Sequence, residues 1–579
     1  MKRIKTCHND RGHDEETELL YERQDPDLDV RITCRAGIVT KELKSRGNQL
    51  RDLEFDFGVL REVAAVAKIS SSLTAEFVVQ GFDFRAESNQ SMSFSMAHFD
   101  TDLSKTLSRT QGLPADSVCE LLFRLLGALV CAKHNKINHL DVKPGNIFLN
   151  CSQDERDERG AGRPLLETAR LGDWGIARFS AQTVCEDPQY VQTVTYRAPE
   201  HILRTYFPVD ATVADVWSSG LVAVEALLGA NFYDGFTENT VLREMISAFG
   251  FSNFQDVDYW HNRLNQLYPD LGLLLQRQRD QLPQHETLQP WFTRQYLETT
   301  VRLGQSPDLV ELLLRMLELD PTKRVSAELA LQSPLFNQSS VRGLLLPVTL
   351  PVDTFLGSHC FQRMYPPEAR WAAFTWLDHH ATSTKSFFGA AYLMDAFWTR
   401  TSGPKINFNQ LDALGKAALA ITSKLLDEDG GFRLSDLVDD PSDPELMSEF
   451  EESLTMELGV VRAFAGDVYN PTCYDYFLTQ YTAEIQKLAE GNRFDALCEA
   501  KQQLEPRFFG LAGLLKILLF DESGLIYRLR PDHVFESCSL VLNRVPGIGP
   551  DTPCYRAYCE ILEYLQSQRR QRLRDLFGV

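Results

Sequence analysis

The chain of 579 residues lacks the marks of several large protein classes. It is short of positive charge: 59 Lys and Arg stand against 80 Asp and Glu, a net charge of −21. Phosphate backbones and anionic membranes need a basic partner, so neither nucleic acid nor a membrane surface is an expected partner. No apolar run approaches the ~18 residues that a membrane span requires; stretches such as 125–132 and 220–230 are far shorter. The opening MKRIKTCHNDRGHDEE has basic residues but no apolar stretch behind them, so it does not read as a secretory leader. No Cys-x-x-Cys pair occurs among the 12 cysteines, the nearest late pair being Cys554 and Cys559. Reduced thiols in an intracellular protein, cytoplasmic or nuclear, are therefore expected, with disulfides or zinc as the alternatives.

What is present is ordinary globular composition, 44% apolar and 24% charged, which argues against a disordered or fibrous chain. The length exceeds one hydrophobic core and suggests about two to four domains. Residues 1–27 are polar and show no clear periodicity. Two short strands, DVRITCR and IVTK, then meet at Ala36-Gly37, and FGVLREVAAVAKI over 57–69 has helical spacing. Strand-like EFVVQGFDF and MSFSMAHF follow, and from 116 the pattern is mostly helical. SQDERDERGAGRP at 152–164 reads as a solvated loop. Pro347 and Pro351 mark a break over 337–352, after which 360–570 is helical with almost no strand signal. The acidic stretch DLVDDPSDPELMSEFEE reads as a solvated loop and helix start.

Five fragments carry chemistry: HLDVKPGN (139–146), LGDWG (171–175), TVTYRAPE (193–200), DVWSSG (215–220) and DPTKRV (320–325). Each is weak alone, but in this order they resemble the catalytic loop, metal loop, activation-segment end and C-lobe anchors of the protein kinase family. The resemblance covers most of 29–336. It implies a bilobal domain over 15–336, with a β-rich N-lobe over about 15–97 and a helical C-lobe over about 98–336, using ATP and Mg2+. Phosphoryl transfer demands positioning and charge neutralisation. Asp141 would then orient the substrate hydroxyl, Lys143 would neutralise the γ-phosphate, and Thr193 would bridge them. Asn146 and Asp173 would hold Mg2+, whose hard character suits oxygen ligands. Lys41 fits the lysine on the α- and β-phosphates, because placing Lys44 there would set Glu42 over adenine. Val39 would roof the adenine, and Glu62 would pair with Lys41, a solvated helix glutamate being the bland alternative. Met96 to Phe99 would form the hinge, with Ala97 and Phe99 at the nucleotide and Asp102 near the ribose. Glu200 with Arg324 would form a buried C-lobe pair, and Asp215 would brace the catalytic loop.

The sequence departs from the family in three places. No GxGxxG lies between residues 15 and 37; the β1–β2 turn reads ERQDPDLD, acidic and free of glycine. Such a turn cannot wrap phosphates with backbone N–H groups in the usual way. Leu140 precedes Asp141 where many regulated kinases place Arg, and Trp174 replaces the usual Phe.

Arg197 in YRAPE and Arg61-Glu62 in VLREV resemble the cyclin-dependent kinases, whose helix docks a cyclin around an apolar anchor, here Leu60. The second region reads ARWAAFTWL (369–377), FGAAYLMDAF (388–397), LDALGKAALAITSK (411–424) and TMELGVVRAFAGDVYNPTCYDYFLTQY (455–481). This resembles a first cyclin box over 353–485, with Arg370, Trp376, Asp395, Lys424 and Glu457 on the family's characteristic positions. Arg370 and Asp395 would form an internal ion pair. Lys424 and Glu457 would meet the kinase helix around Leu60 and Arg61. RFFGLAGLLKILLF opens a shortened second box over 503–570.

The expected fold is therefore multidomain α+β: a bilobal kinase, a linker over 337–352, and an all-α cyclin fold. A tether of about 16 residues reaches roughly 55 Å extended, enough for intramolecular docking. A monomeric, proline-directed Ser/Thr kinase activated in cis is the expectation, with a pseudokinase–cyclin scaffold as the alternative. Pro188 stands where cyclin-dependent kinases carry their activating threonine, and Leu140 replaces one of three phosphate-gathering arginines. Arg61 and Arg178 match the other two, and Glu186 or Asp187 would pair with them permanently. Thr183 and Tyr190 remain as other acceptors. Ala369-Arg370-Trp371-Ala372-Ala373 stands where many cyclins carry a Met-Arg-Ala-Ile-Leu docking patch, so Arg-x-Leu motifs should bind weakly.

Overall fold

The computed structural model describes residues 17–24, 28–47, 49–72, 75–156, 162–179, 191–204, 212–249, 257–271, 306–337, 367–401, 408–427, 431–469, 472–488, 494–519, 531–543, 559–561 and 563. The turn 25–27, the tether beyond Asn337, and Thr183, Glu186, Asp187, Pro188 and Tyr190 lie outside them.

Strands β1 (Glu18–Gln24), β2 (Leu28–Arg35), β3 (Ile38–Ser45), β4 (Gly81–Ser88) and β5 (Ser91–Ala97) form one antiparallel sheet, ordered β1-β2-β3-β5-β4. Its β2–β3 turn needs positive φ at both central residues, and Ala36 (49°) and Gly37 (75°) supply it. Strand β1 falls in the stretch that reads as open in the sequence. It is an edge strand with both faces half or fully exposed, so main-chain pairing to β2 holds it and no apolar alternation advertises it. Helix α1 (Phe57–Ser70) starts where the Asp56 carboxylate accepts from the Val59 N–H at 3.0 Å, a cap worth about 1 kcal/mol. The helix packs on β4 and buries Leu60, Arg61, Glu62, Val63 and Ala67.

The next region contains β6 (Thr101–Asp102), α2 (Leu103–Leu107), α3 (Ala115–His134), β7 (Ile137–Asn138), β8 (Ile147–Arg156), β9 (Gly162–Leu171) and β10 (Arg178–Phe179). Helices α4 (Pro199–Ile202), α5 (Thr212–Leu228), α6 (Glu238–Phe249), α7 (Val257–Leu267), α8 (Pro307–Met316) and α9 (Ala327–Leu331) complete it. Residues 152–156 and 162–164 do not form the simple loop that their charge suggests. They extend the β8–β9 ladder, which pairs Cys151 with Pro164 and Arg156 with Gly162. A ladder requires backbone groups rather than apolar side chains, so a charged sequence conceals it.

The remaining helices are α10 (Pro367–His380), α11 (Thr384–Thr401), α12 (Phe408–Leu426), α13 (Pro444–Ala463), α14 (Cys473–Leu488), α15 (Phe494–Leu519) and α16 (Pro531–Leu542). No strand occurs among the described residues after 367. Helix α12 buries Leu411, Leu414, Ala418, Ile421 and Leu425, the spacing of one helical face. Helix α15 begins at Phe494, ahead of the expected boundary at 503, and carries Pro506 inside it. Buried apolar side chains of both regions join in one cluster. At their contact Gly466, after α13, has φ of 81°, and a Cβ there would lie 2.8 Å from Val63 Cγ1 on α1. Only glycine admits both the backbone turn and the close approach. No helix among the described residues is long and apolar enough to cross a membrane.

Candidate active site

The period of two along β3 puts Val39 and Lys41 on the same sheet face. Val39 is buried opposite Met96, and Lys41 lies opposite Phe94. Lys41 Nζ donates to Glu62 on α1 and, at 3.3 Å, to Asp173 Oδ1. Burial works against the Lys41 ammonium, but the Glu62 and Asp173 carboxylates outweigh it and raise its pKa above the ordinary lysine value. Burial likewise opposes the Asp173 carboxylate, yet the Lys41 ammonium outweighs it and holds the carboxylate below the usual range.

The loop after β7 assembles the other half. Lys143 Nζ donates to Asp141 Oδ2 at 2.7 Å and to Thr193 Oγ1 at 3.2 Å, and the Thr193 hydroxyl donates to Asp141 Oδ1 at 2.7 Å. Asn146 Nδ2 donates to the Asp141 carbonyl at 2.9 Å and to Oδ2 at 3.0 Å. Leu140, with φ of 59°, and Asp173, with φ of 62°, hold conformations that cost a non-glycine residue energy. Asp215 supports the first: its carboxylate accepts from the N–H groups of His139 and Leu140, each at 2.8 Å. Fully buried His139 accepts from the Asp141 N–H through Nδ1, so its proton sits on Nε2, which donates to the Gly172 carbonyl at 3.0 Å. Arg324 and Glu200 make a bidentate, buried pair at 2.6 and 2.9 Å.

In the stretch expected to form the hinge, the ring of Phe99 lies 5.9 Å from that of Phe148, while Ala97 ends β5 exposed. Asp102 caps α2: it accepts from the Lys105 N–H at 2.9 Å and pairs with Lys105 Nζ at 2.7 Å. Sequence reasoning missed Phe148, which pairs with Asp102 in the β6–β8 ladder. It is half-exposed between fully buried Ile147 and Leu149, a contrast that the apolar triplet Ile-Phe-Leu does not reveal.

The helical region meets this site from outside. Lys424 Nζ lies between Glu457 Oε1 (2.6 Å) and Glu54 Oε2 (2.9 Å), and Glu457 Oε2 accepts from Asn89 at 2.8 Å. Glu54 also accepts from the N–H groups of Leu434 (3.1 Å) and Ser435 (2.8 Å). Burial opposes the Lys424 ammonium, and the two carboxylates reverse the effect and raise its pKa. The side chains of Lys424 and Glu457 thus also reach the segment before α1 and the β4–β5 turn. Glu54 and Asn89 carry no sequence signal, because their partners are more than three hundred residues away. Leu60 is fully buried, and Arg61 donates to the carbonyls of Lys424 (2.7 Å) and Asp427 (2.6 Å). Arg61 thus reaches α12 at Lys424, while its other expected partners, Glu186 and Asp187, lie outside the described residues. Arg462 donates to the Ala86 and Glu87 carbonyls, each at 2.8 Å, and the ring of Tyr469 lies 4.6 Å from that of Phe179. Within the helical region Arg370 pairs with Asp395 at 2.8 and 3.2 Å, and Trp376 packs edge-on to Phe432.

Mitogen-activated protein kinase 7 of Arabidopsis thaliana is 28% identical over 283 residues, 47% of this chain and 67% of its own length. Mitogen-activated protein kinase KSS1 of Saccharomyces cerevisiae is 27% identical over 246 residues, 41% of this chain and 58% of its own. Mitogen-activated protein kinase pmk-3 of Caenorhabditis elegans is 27% identical over 264 residues, 45% of this chain and 46% of its own. The chain thus spans between about half and two thirds of these curated relatives. A solved chain of the CAK complex from Chaetomium thermophilum, bound to ATP-γ-S, matches with 17% identity and a TM-score of 0.41, covering 56% of this chain and 92% of that one. A family model described as the protein kinase domain matches residues 35–336, more than half of the chain. The chain belongs to the protein kinase family.

Proposed function

We propose that this chain is an ATP- and Mg2+-dependent Ser/Thr protein kinase of cyclin-dependent type, proline-directed and activated in cis by a fused cyclin module. One observation carries the reading: Asp141 is held by Lys143, Thr193 and Asn146 while Lys41 bridges Glu62 and Asp173. Thr193 and Asn146 orient the Asp141 carboxylate, which accepts the hydrogen bond of the incoming hydroxyl and aligns it for in-line attack. Lys143 neutralises the transferred phosphate, and Lys41, fixed by Glu62, holds the phosphates upstream. Asn146 uses its amide nitrogen on Asp141, which leaves its Oδ1 for a cation beside the Asp173 carboxylate; two hard oxygens suit Mg2+. Mg2+, when bound, supplies neutralisation of phosphate charge. Val39, Phe99 and Phe148 offer apolar surface for a base, and Ala97 offers hinge backbone.

Proline direction is supported by Gln192. Its φ is 57°, and its carbonyl is taken by Arg197 Nη2 at 2.9 Å, beside the Asp141–Thr193 pair. A residue after the phospho-acceptor that brings an N–H finds that carbonyl turned onto Arg197, and proline brings no N–H to satisfy. Activation in cis is supported by where the helical region touches: Arg61 adjoins Glu62, and Glu54, Asn89 and Phe179 surround the same helix and loop. The match of Arg370, Asp395, Lys424 and Glu457 to a cyclin box is the reason for naming a cyclin. The second reading, a scaffold that binds partners without phosphotransfer, rests on the absence of glycine from the stretch ERQDPDLD.

Mg2+-ATP phosphotransfer by the purified chain tests both. Asp141→Asn should lower turnover by about 100-fold or more while leaving thermal stability near that of the parent. Equal turnover in the two chains, or none in either, favours the scaffold.

A further inference from the structure

The residue before Thr193 is buried, polar and backbone-strained. Gln192 has φ of 57°, which a Cβ disfavours, so other groups must impose it. Its side chain does so. The Ala198 N–H donates to one amide atom at 3.1 Å, which must be oxygen, and the other faces the Ala214 carbonyl at 3.2 Å, which requires nitrogen. With the amide thus oriented, Oε1 also meets His201 Nδ1 at 2.6 Å, so His201 donates from Nδ1. Nε2 donates to the Ser218 hydroxyl at 2.9 Å, and that hydroxyl donates on to the Tyr196 carbonyl at 2.8 Å. All the hydrogen-bonding capacity of the amide is used, and Gln192, His201 and Ser218 are all buried, so water cannot substitute for any of them. At the same residue the main-chain N–H donates to the Leu140 carbonyl at 2.8 Å, and the main-chain oxygen accepts from Arg197, which is paired with Glu238.

We propose that His201 is a positioning residue for substrate selection: by clamping the Gln192 side chain it keeps the Gln192 carbonyl on Arg197 and so sets the preference for proline after the phospho-acceptor. The proposal rests on the proline-directed kinase reading. Without the His201 donor, Gln192 keeps fewer bonds to hold its positive φ. Its peptide relaxes, its carbonyl turns from Arg197, and an incoming N–H gains an acceptor. Selection for proline then falls while Asp141, Lys143 and Thr193 stay in place.

The test uses the full chain, Mg2+-ATP and two synthetic peptides that differ only in Ser-Pro against Ser-Ala. The readout is the ratio of kcat/KM for the pair, with hydrogen exchange over 191–198 measured in parallel. His201→Leu should lower the ratio by roughly tenfold, through the KM and kcat of the Ser-Ala peptide, and should speed exchange at 192–198. His201→Asn, whose amide nitrogen can replace the Nδ1–H donor, should restore both. A parent chain that discriminates, with the ratio and the exchange unchanged in His201→Leu, overturns the proposal and leaves the kinase reading standing. A parent chain that phosphorylates neither peptide overturns both.

Discussion

The guanidinium of Arg61 on α1 donates to the carbonyl of Lys424 in the last turn of α12 at 2.7 Å and to that of Asp427, just past it, at 2.6 Å. The last carbonyls of a helix have no partner within it and carry its negative dipole end, so a buried cation there is favoured. The neighbouring residue on α1 is Glu62, the partner of Lys41. A contact made outside the site thus fixes the helix that carries part of the site.

Removing that contact should loosen α1. Arg61→Ala should lower phosphotransfer at least tenfold and speed hydrogen exchange over 57–70. Arg61→Lys should recover little, because a single ammonium cannot span two carbonyls as a guanidinium fork does. Exchange equal to that of the parent in both variants would contradict a role for Arg61 in joining the two regions.

Lys424 stands between two buried carboxylates, and its loss leaves Glu54 and Glu457 as uncompensated charges. Lys424→Met alone should cost about 3–5 kcal/mol. Replacing all three with Glu54→Gln, Lys424→Met and Glu457→Gln should cost less than that single change. Urea denaturation of the variants compares them, and a triple variant weaker than the single one would refute the charge argument.

His201 supplies a pH dependence. Burial, reinforced by Arg197 and Arg324 and opposed by Glu200, lowers its pKa to about 4 from the ordinary 6.5. Below 6.5 the unfolded chain takes up a proton that the folded chain refuses, so the unfolded state binds more protons and stability falls as pH falls. The loss should be complete near pH 4, amounting to about 3 kcal/mol. Urea midpoints between pH 7 and pH 4 should show this slope, and His201→Asn should flatten it. An equal slope in the two proteins would assign the acid sensitivity elsewhere.

Phosphorylation of the activation segment should not be needed. In the cyclin-dependent reading proposed above, Pro188 takes the sequence position of the usual acceptor, and buried Leu140 that of one phosphate-gathering arginine. Chain made without an activating kinase, and shown by mass spectrometry to be unmodified, should already transfer phosphate. Activity that appears only after treatment with such a kinase would reject this.

The motif residues were legible because their chemistry is local. Asp141, Lys143 and Asn146 lie within six positions, and the turn at Ala36-Gly37 announces itself through the φ that it demands. The apolar spacing of α1 and α12 likewise marks helices, since one face must leave water. Strand β1 and the outer part of the β8–β9 ladder were not legible, because main-chain bonds hold them and no apolar alternation in the sequence marks them.

The amino-acid order thus determined which groups are available: a lysine on a strand, a glutamate on a helix, two carboxylates, an amide and a threonine in short motifs. Only the tertiary structure decided what Glu54, Asn89, Gln192 and His201 do. Each is a polar residue with no local pattern, and its meaning depends on a partner brought close by the packing of distant elements. Once such a residue is buried, the cost of leaving a polar group unpaired makes that partner obligatory. A linear sequence records the residue, whereas burial and partner exist only in the fold.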